Sequence, residues 1–276
     1  MVPAVEICRD DFNDCINPPR DIKSKIPCNE CYNLTFATKF NKVPFNASLY
    51  PALYLGHDFY KNVVTEGMDK TTLKSLVWVS EWPLGTNKQY MDPANKTVHG
   101  YNARFSDMEE NVIVQIHVKD WTSQTKMDET VRSVLETAGR VPLMFRQKVK
   151  RYEIEDKGGA FLATFPYMGV YIPLRSWFWN PETNEEILMH EGAHIHWGTL
   201  DVTDEGLLCA LASDKHFITE YARSEDGIET WPVWYALRYR KDRLTKEVVE
   251  TIENLIPNHL RLFDEACNKH PEVCFD

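Results

Sequence analysis

The segment Asn180-Pro-Glu-Thr-Asn-Glu-Glu-Ile-Leu-Met-His190-Glu191-Gly-Ala-His194-Ile-His-Trp-Gly198 constrains the fold of this chain more than any other stretch. Its punctuation is that of a helix. Asn180 can cap the start, Pro181 suits the first turn, and Gly198 stands where a left-handed C-cap is expected. Glu182, Glu185 and Glu186 complement the positive end of the helix dipole. A helix turns about 100° per residue, so His190 and His194 fall on one face, one turn apart. Two imidazoles at that spacing can bind one zinc ion. Glu191 lies beside them, placed to act as general base on a water that the metal activates. His196 falls on the opposite side and reads as a packed or surface histidine.

The rest of the composition narrows the class. The chain has 276 residues, 43% of them hydrophobic and 12% aromatic, enough to bury a core and too apolar for disorder. A net charge of −10 argues against nucleic acid or an anionic membrane as main partner. No apolar run approaches the length of a membrane span. The start, Met-Val-Pro-Ala-Val-Glu-Ile-Cys8, has no apolar signal core and reads as the start of a mature secreted chain. Three sequons, at Asn33, Asn46 and Asn95, predict N-linked glycans and an extracellular location. Cysteine usage agrees. Cys8, Cys15, Cys28 and Cys31 crowd the N-terminus, and Cys267 and Cys274 close the C-terminus, as disulfide staples would. Cys209, in Leu-Leu-Cys-Ala-Leu, reads as a buried free thiol. A zinc knuckle at Cys28-Asn-Glu-Cys31 is the rival reading, but a lone pair lacks its partner pair.

Residues 1–55 read as an irregular, cysteine-stapled arm, and 56–276 as one domain. Leu76–Val79, Val112–Val118, Val149–Ile154, Ala160–Phe165 and Gly169–Ile172 have strand character, with Lys157-Gly-Gly159 and Pro166 as turns. Met127–Ala138 has helical spacing and stops at Gly139. After the histidine helix the patterns are helical: Leu207–Ala212, Val233–Arg243, Thr245–Leu255 and His259–Cys267. The expected architecture is α+β, a mixed sheet half followed by the metal helix and a helical half, with a cleft between the halves.

A catalytic zinc needs a third protein ligand and an open position. In Ser224-Glu225-Asp226-Gly-Ile-Glu229, Ser224 can cap a helix that carries Glu225 and Glu229 one turn apart. One of them could ligate zinc while the other orients a ligand histidine. Asp201, just past the histidine helix, is a further candidate, although Gly198 leaves it little chain to swing back. Gly227 and Pro232 are poor helix residues, so the glutamate helix is expected to be short or kinked. Trp177-Phe-Trp179 reads as core packing under the metal helix, or else as cleft lining. His216 could reach the site or lie on the surface.

His-Glu-x-x-His, then Tyr221-Ala-Arg-Ser and Glu225-Asp-x-x-Glu229-Thr, resembles the gluzincins. The resemblance is strongest to the branch of secreted zincins that includes anthrax lethal factor and the proline-proline endopeptidases. It extends over residues 180–265 and includes Ile256-Pro-Asn-His-Leu-Arg-Leu-Phe-Asp264. It implies a zincin-like catalytic domain over 56–276, zinc held by His190, His194 and Glu225, Glu191 as the base, and Tyr221 stabilising the oxyanion. The stretch between Tyr221 and Glu225 is shorter than the family usually has, which keeps Glu229 open as the alternative ligand. The function so implied is a secreted zinc-dependent endopeptidase acting on a peptide or protein substrate. The alternative is a catalytically inactive zincin-fold binding or structural glycoprotein.

Overall fold

The computed structural model describes residues 59, 63–65, 71–83, 97–117, 123–156, 158–164, 168–179, 183–197, 207, 210, 214 and 223–274. The chain forms two compact units, with the described residues up to His196 in one and those from Trp197 in the other. The arm at 1–55, its four cysteines, the sequon asparagines Asn33, Asn46 and Asn95, and Cys209 lie outside the described residues.

The first unit is built on a mixed six-stranded sheet: β1 (Leu73–Pro83), β2 (Thr97–Phe105), β3 (Val112–His117), β4 (Arg151–Glu155), β5 (Leu162–Thr164) and β6 (Gly169–Pro173), in the order β1-β2-β3-β4-β6-β5. β1–β2, β2–β3 and β5–β6 run antiparallel, while β3–β4 and β4–β6 run parallel. A parallel pair cannot be joined by a hairpin, and two helices, α1 (Gln124–Ala138) and α2 (Leu143–Arg146), supply the crossover from β3 to β4. Side chains alternate between faces with period two. One register row therefore sets Tyr101, Val114, Tyr152 and Val170 side by side across four strands, each at most 2% exposed. The helical spacing of Met127, Val131, Val134 and Leu135 turns one buried stripe of α1 inward, and α1 contacts β1 and β3. Each such side chain contributes about 1.5–3 kcal/mol on burial.

The expected strand at Val149–Ile154 begins two residues later and ends one residue later. Val149 donates its N–H to the Arg146 carbonyl, which makes it a turn residue, and the ladder to β3 starts at Arg151. The expected Ala160–Phe165 strand is Leu162–Thr164, and Phe165 lies outside the described residues. β2 is absent from the sequence reading, although Tyr101, Ala103 and Phe105 are buried and alternate with Asn102 and Arg104 as in a half-buried strand. α1 does stop at Gly139, but not by a left-handed turn, since Gly139 has φ −67°. The glycine is needed for close approach: a Cβ there would lie 2.2 Å from Thr71 Oγ1 and 3.0 Å from the Thr72 nitrogen.

After β6 come α3 (Leu174–Trp179) and α4 (Asn184–Trp197), the histidine helix. Residues 180–182 and Gly198, where its caps were expected, lie outside the described residues.

The second unit is helical: α5 (Arg223–Tyr239), a 3-10 turn (Lys241–Arg243), α6 (Lys246–Leu255), α7 (Pro257–Lys269) and α8 (Pro271–Cys274). The expected helix at Val233–Arg243 is the second half of α5 together with that 3-10 turn. The glutamate helix is not short, because α5 runs 17 residues through Gly227 and Pro232. Those two residues cost about 1 and about 3 kcal/mol of intrinsic helix stability. Burying Trp231, Trp234 and Tyr235, each at most 2% exposed, returns more than that. Trp231 and Trp234 both pack on Phe263 of α7, with ring centroids 6.3 Å away. Thr245 caps α6 by accepting from the Val248 N–H, and Pro257 occupies the first turn of α7. Cys267 and Cys274 are disulfide-bonded, as the terminal staple expected, and join α7 to α8. Among the described residues no helix is long and apolar enough to cross a membrane.

His259, fully buried on α7, ties this unit together. Its Nδ1 donates to Asp214 Oδ2 and its Nε2 to Asp226 Oδ2, each at 2.8 Å. Burial alone would lower its pKa. The Asp226 charge and the Asp214 hydrogen bond outweigh that and push it up from 6.5 to about 9. A raised folded-state pKa gives stability that is fully present below about pH 6.5 and is lost as pH rises through about 9. The thermal midpoint is therefore expected to fall across that window, and His259→Gln to remove the slope. Equal slopes in the two proteins, followed by calorimetry, would contradict a charged His259.

Candidate metal centre

α4 is seated before it can present anything. Gly192 is the contact point. A Cβ on it would lie 1.9 Å from the Phe145 carbonyl oxygen, so the backbone of α4 rests directly on α2. At the far end of the helix His196 is fully buried, and its Nε2 accepts the Lys148 N–H at 3.1 Å. Desolvation, helped by the Lys148 charge, pushes its pKa down to about 3, so the ring stays neutral with its proton on Nδ1. Of the two readings offered by the sequence, the packed one holds. At the near end Arg140 donates Nε and Nη2 to Glu185 Oε1 at 3.2 and 2.7 Å, and Asn184 Nδ2 donates to the Trp177 carbonyl. Trp177 is 2% exposed and belongs to the core, whereas Phe178 is exposed.

The sequence offered Glu185 only as a first-turn acid of this helix and gave no sign of its pairing with Arg140. Glu185 is 4% exposed, and removing its partner would leave a buried carboxylate uncompensated. Arg140→Ala is expected to destabilise the protein by about 3 kcal/mol. A denaturation midpoint unchanged from wild type would show that the pair does not hold α4.

With α4 so held, Met189, Ala193 and Ile195 are buried, while His190 and His194 are half-buried. The two rings meet edge to face with centroids 4.8 Å apart, and their Nε2 atoms are 3.1 Å apart. Two imine nitrogens that close repel unless a proton or a cation lies between them. Ligand atoms bound about 2.0–2.1 Å from a tetrahedral zinc stand about 3.3 Å apart, so the pair fits one ion. One ligand atom each of His190, His194 and Glu225 lie within 4.8 Å of one another. Among the described residues this is the group of histidine, cysteine and carboxylate side chains that could hold a metal. Two neutral nitrogens and one carboxylate are a donor set that suits zinc. Glu225 and Glu229 both lie on α5, one turn apart, and both are half-buried, but Glu229 is not in that group. Glu191, between the histidines, is 7% exposed. Tyr221, Asp201 and His216 lie outside the described residues.

Chemically, the arrangement offers three ligand atoms for one cation, and Glu191 adjoins His190 in the chain. No protein-family model, curated protein or solved structure matches the chain. The likeness to gluzincins therefore rests on the residues between 180 and 265 themselves.

Proposed function

We propose that this chain is a secreted zinc-dependent endopeptidase of gluzincin type, with a zincin-like catalytic domain. The observation that carries the reading is the approach of the His190 and His194 Nε2 atoms to 3.1 Å with a Glu225 ligand atom within 4.8 Å. When bound by these three residues, zinc supplies Lewis acidity and brings the pKa of a water toward neutral. Glu191 takes a proton from the attacking water and delivers it to the leaving amine. Tyr221 donates its hydroxyl to the developing oxyanion, the role that the family resemblance gives it. β5 stands last in the sheet order, and an extended peptide would pair along it. The Cys267–Cys274 disulfide supports an oxidising compartment, and glycans at Asn33, Asn46 and Asn95 belong to the same reading.

The purified protein is expected to hold about one zinc, and His190→Ala or His194→Ala to lose it. Full metal content in both variants would remove the site. Hydrolysis of a broad peptide library, abolished by a chelator and restored by zinc, is the expected activity. A zinc-loaded wild type that cleaves no peptide would favour the inactive binding glycoprotein instead.

A further inference from the structure

We infer that His259 is a positioning residue for the Glu225 carboxylate. The inference rests on the zinc reading proposed above and concerns how α5 is held so that Glu225 is aimed. Asp226 follows Glu225 directly in the first turn of α5 and is 3% exposed. Its carboxylate accepts from His259 Nε2 at 2.8 Å, and its carbonyl accepts from Thr230 Oγ1 at 2.6 Å. The other ring nitrogen of His259 is held by Asp214 at 2.8 Å. Asp214 also accepts the backbone N–H groups of Asn258 and His259, each at 3.0 Å, which locks it to the start of α7. With both nitrogens engaged and the side chain fully buried, the ring has one orientation, and Asp226 is fixed by it.

Two general points turn this anchor into a positioning device. A carboxylate stands about 5–6 Å from its helix axis, so a rotation of the first turn by about 10° displaces it by about 1 Å. A metal–oxygen bond of about 2.0–2.2 Å does not tolerate that displacement. Second, a buried carboxylate–imidazolium–carboxylate triad is a poor source of stability, since apolar side chains of equal volume usually do as well or better. What the triad has and an apolar cluster lacks is direction. It holds the rotation of α5 at the residue next to the ligand.

The test uses two variants that both remove the charge but keep different donors. The Gln amide nitrogen stands near the position of His Nε2 and can still reach Asp226. The Asn amide nitrogen stands near Nδ1 and reaches only Asp214. Zinc dissociation constants of the folded proteins are measured by competition with a chelator. The d–d spectrum of cobalt-loaded protein reports the ligand field. His259→Asn is expected to weaken zinc binding about 10–100-fold and to alter the cobalt spectrum, as loss of support for a ligand does elsewhere. His259→Gln is expected to keep both near wild type, although it melts lower as well. A merely structural histidine predicts two variants that melt lower and bind metal alike, and that result overturns the inference alone. If His259→Asn does not fold, Asp226→Asn takes its place, with a loss of about tenfold expected and native affinity as the contrary result. A wild type that binds no zinc overturns the reading of the site and this inference with it.

Discussion

Replacing Glu191 with Gln is expected to leave zinc bound and to lower peptide hydrolysis about 10²–10⁴-fold, the usual contribution of a general base. The substitution keeps the size of the side chain, and neither His190 nor His194 loses its place. What it removes, on the proposed reading, is the proton acceptor. The water attack then lacks a base and the departing amine lacks a proton donor, so both halves of the reaction slow. The loss should appear in kcat more than in KM, because the missing interaction belongs to the transition state. Metal content by elemental analysis and turnover on a single cleaved peptide check it. Wild-type turnover in a zinc-loaded Glu191→Gln protein would show that another group serves as base.

Gly192→Ala is expected to prevent α4 from seating at all. By helix propensity alone the change should help by about 1 kcal/mol. The packing decides otherwise, because the added Cβ would lie 1.9 Å from the Phe145 carbonyl oxygen, and a backbone atom cannot swing aside as a side chain would. Relief requires α4 and α2 to separate. That separation exposes the buried faces on both sides, at a cost of about 3 kcal/mol or more. Zinc affinity should fall with the fold, since His190 and His194 are carried on the same helix. Gly158 provides the control, because nothing lies within 4 Å of its added Cβ and Gly158→Ala should be near neutral. A Gly192→Ala protein that melts with wild type would mean that α4 is not held by this contact.

Much of the site was legible because its signals are local. Four-residue spacing on one helix brings His190 to His194, and Glu225 lies in the first turn of its own helix. What the sequence hid was what holds these residues. Gly192 reads as a weak point in a helix until the Phe145 carbonyl is found against it. Arg140 and Glu185 are 45 residues apart, and Asp214 and His259 are 45 apart as well, so no short pattern joins them. Asp226 was in view only as a neighbour of Glu225, and His259 only as part of the Ile256-Pro-Asn-His segment. The fold shows the same division. Strands with strong β-branched runs, such as Val112–His117, were readable, whereas β2, which has a single β-branched pair at Thr97-Val98 and a glycine at 100, was not. Helix propensity misjudged α5, where aromatic burial overrides Gly227 and Pro232.

The central claim is that one zinc ion is held by His190, His194 and Glu225. Anomalous diffraction at the zinc edge from crystals of the zinc-loaded protein tests it most directly. The account predicts a single strong peak about 2.0–2.1 Å from both Nε2 atoms and about 2.0–2.2 Å from a Glu225 oxygen. A peak bound instead by Glu229 or Asp201, with Glu225 turned away, or no peak beside the two histidines, would contradict it.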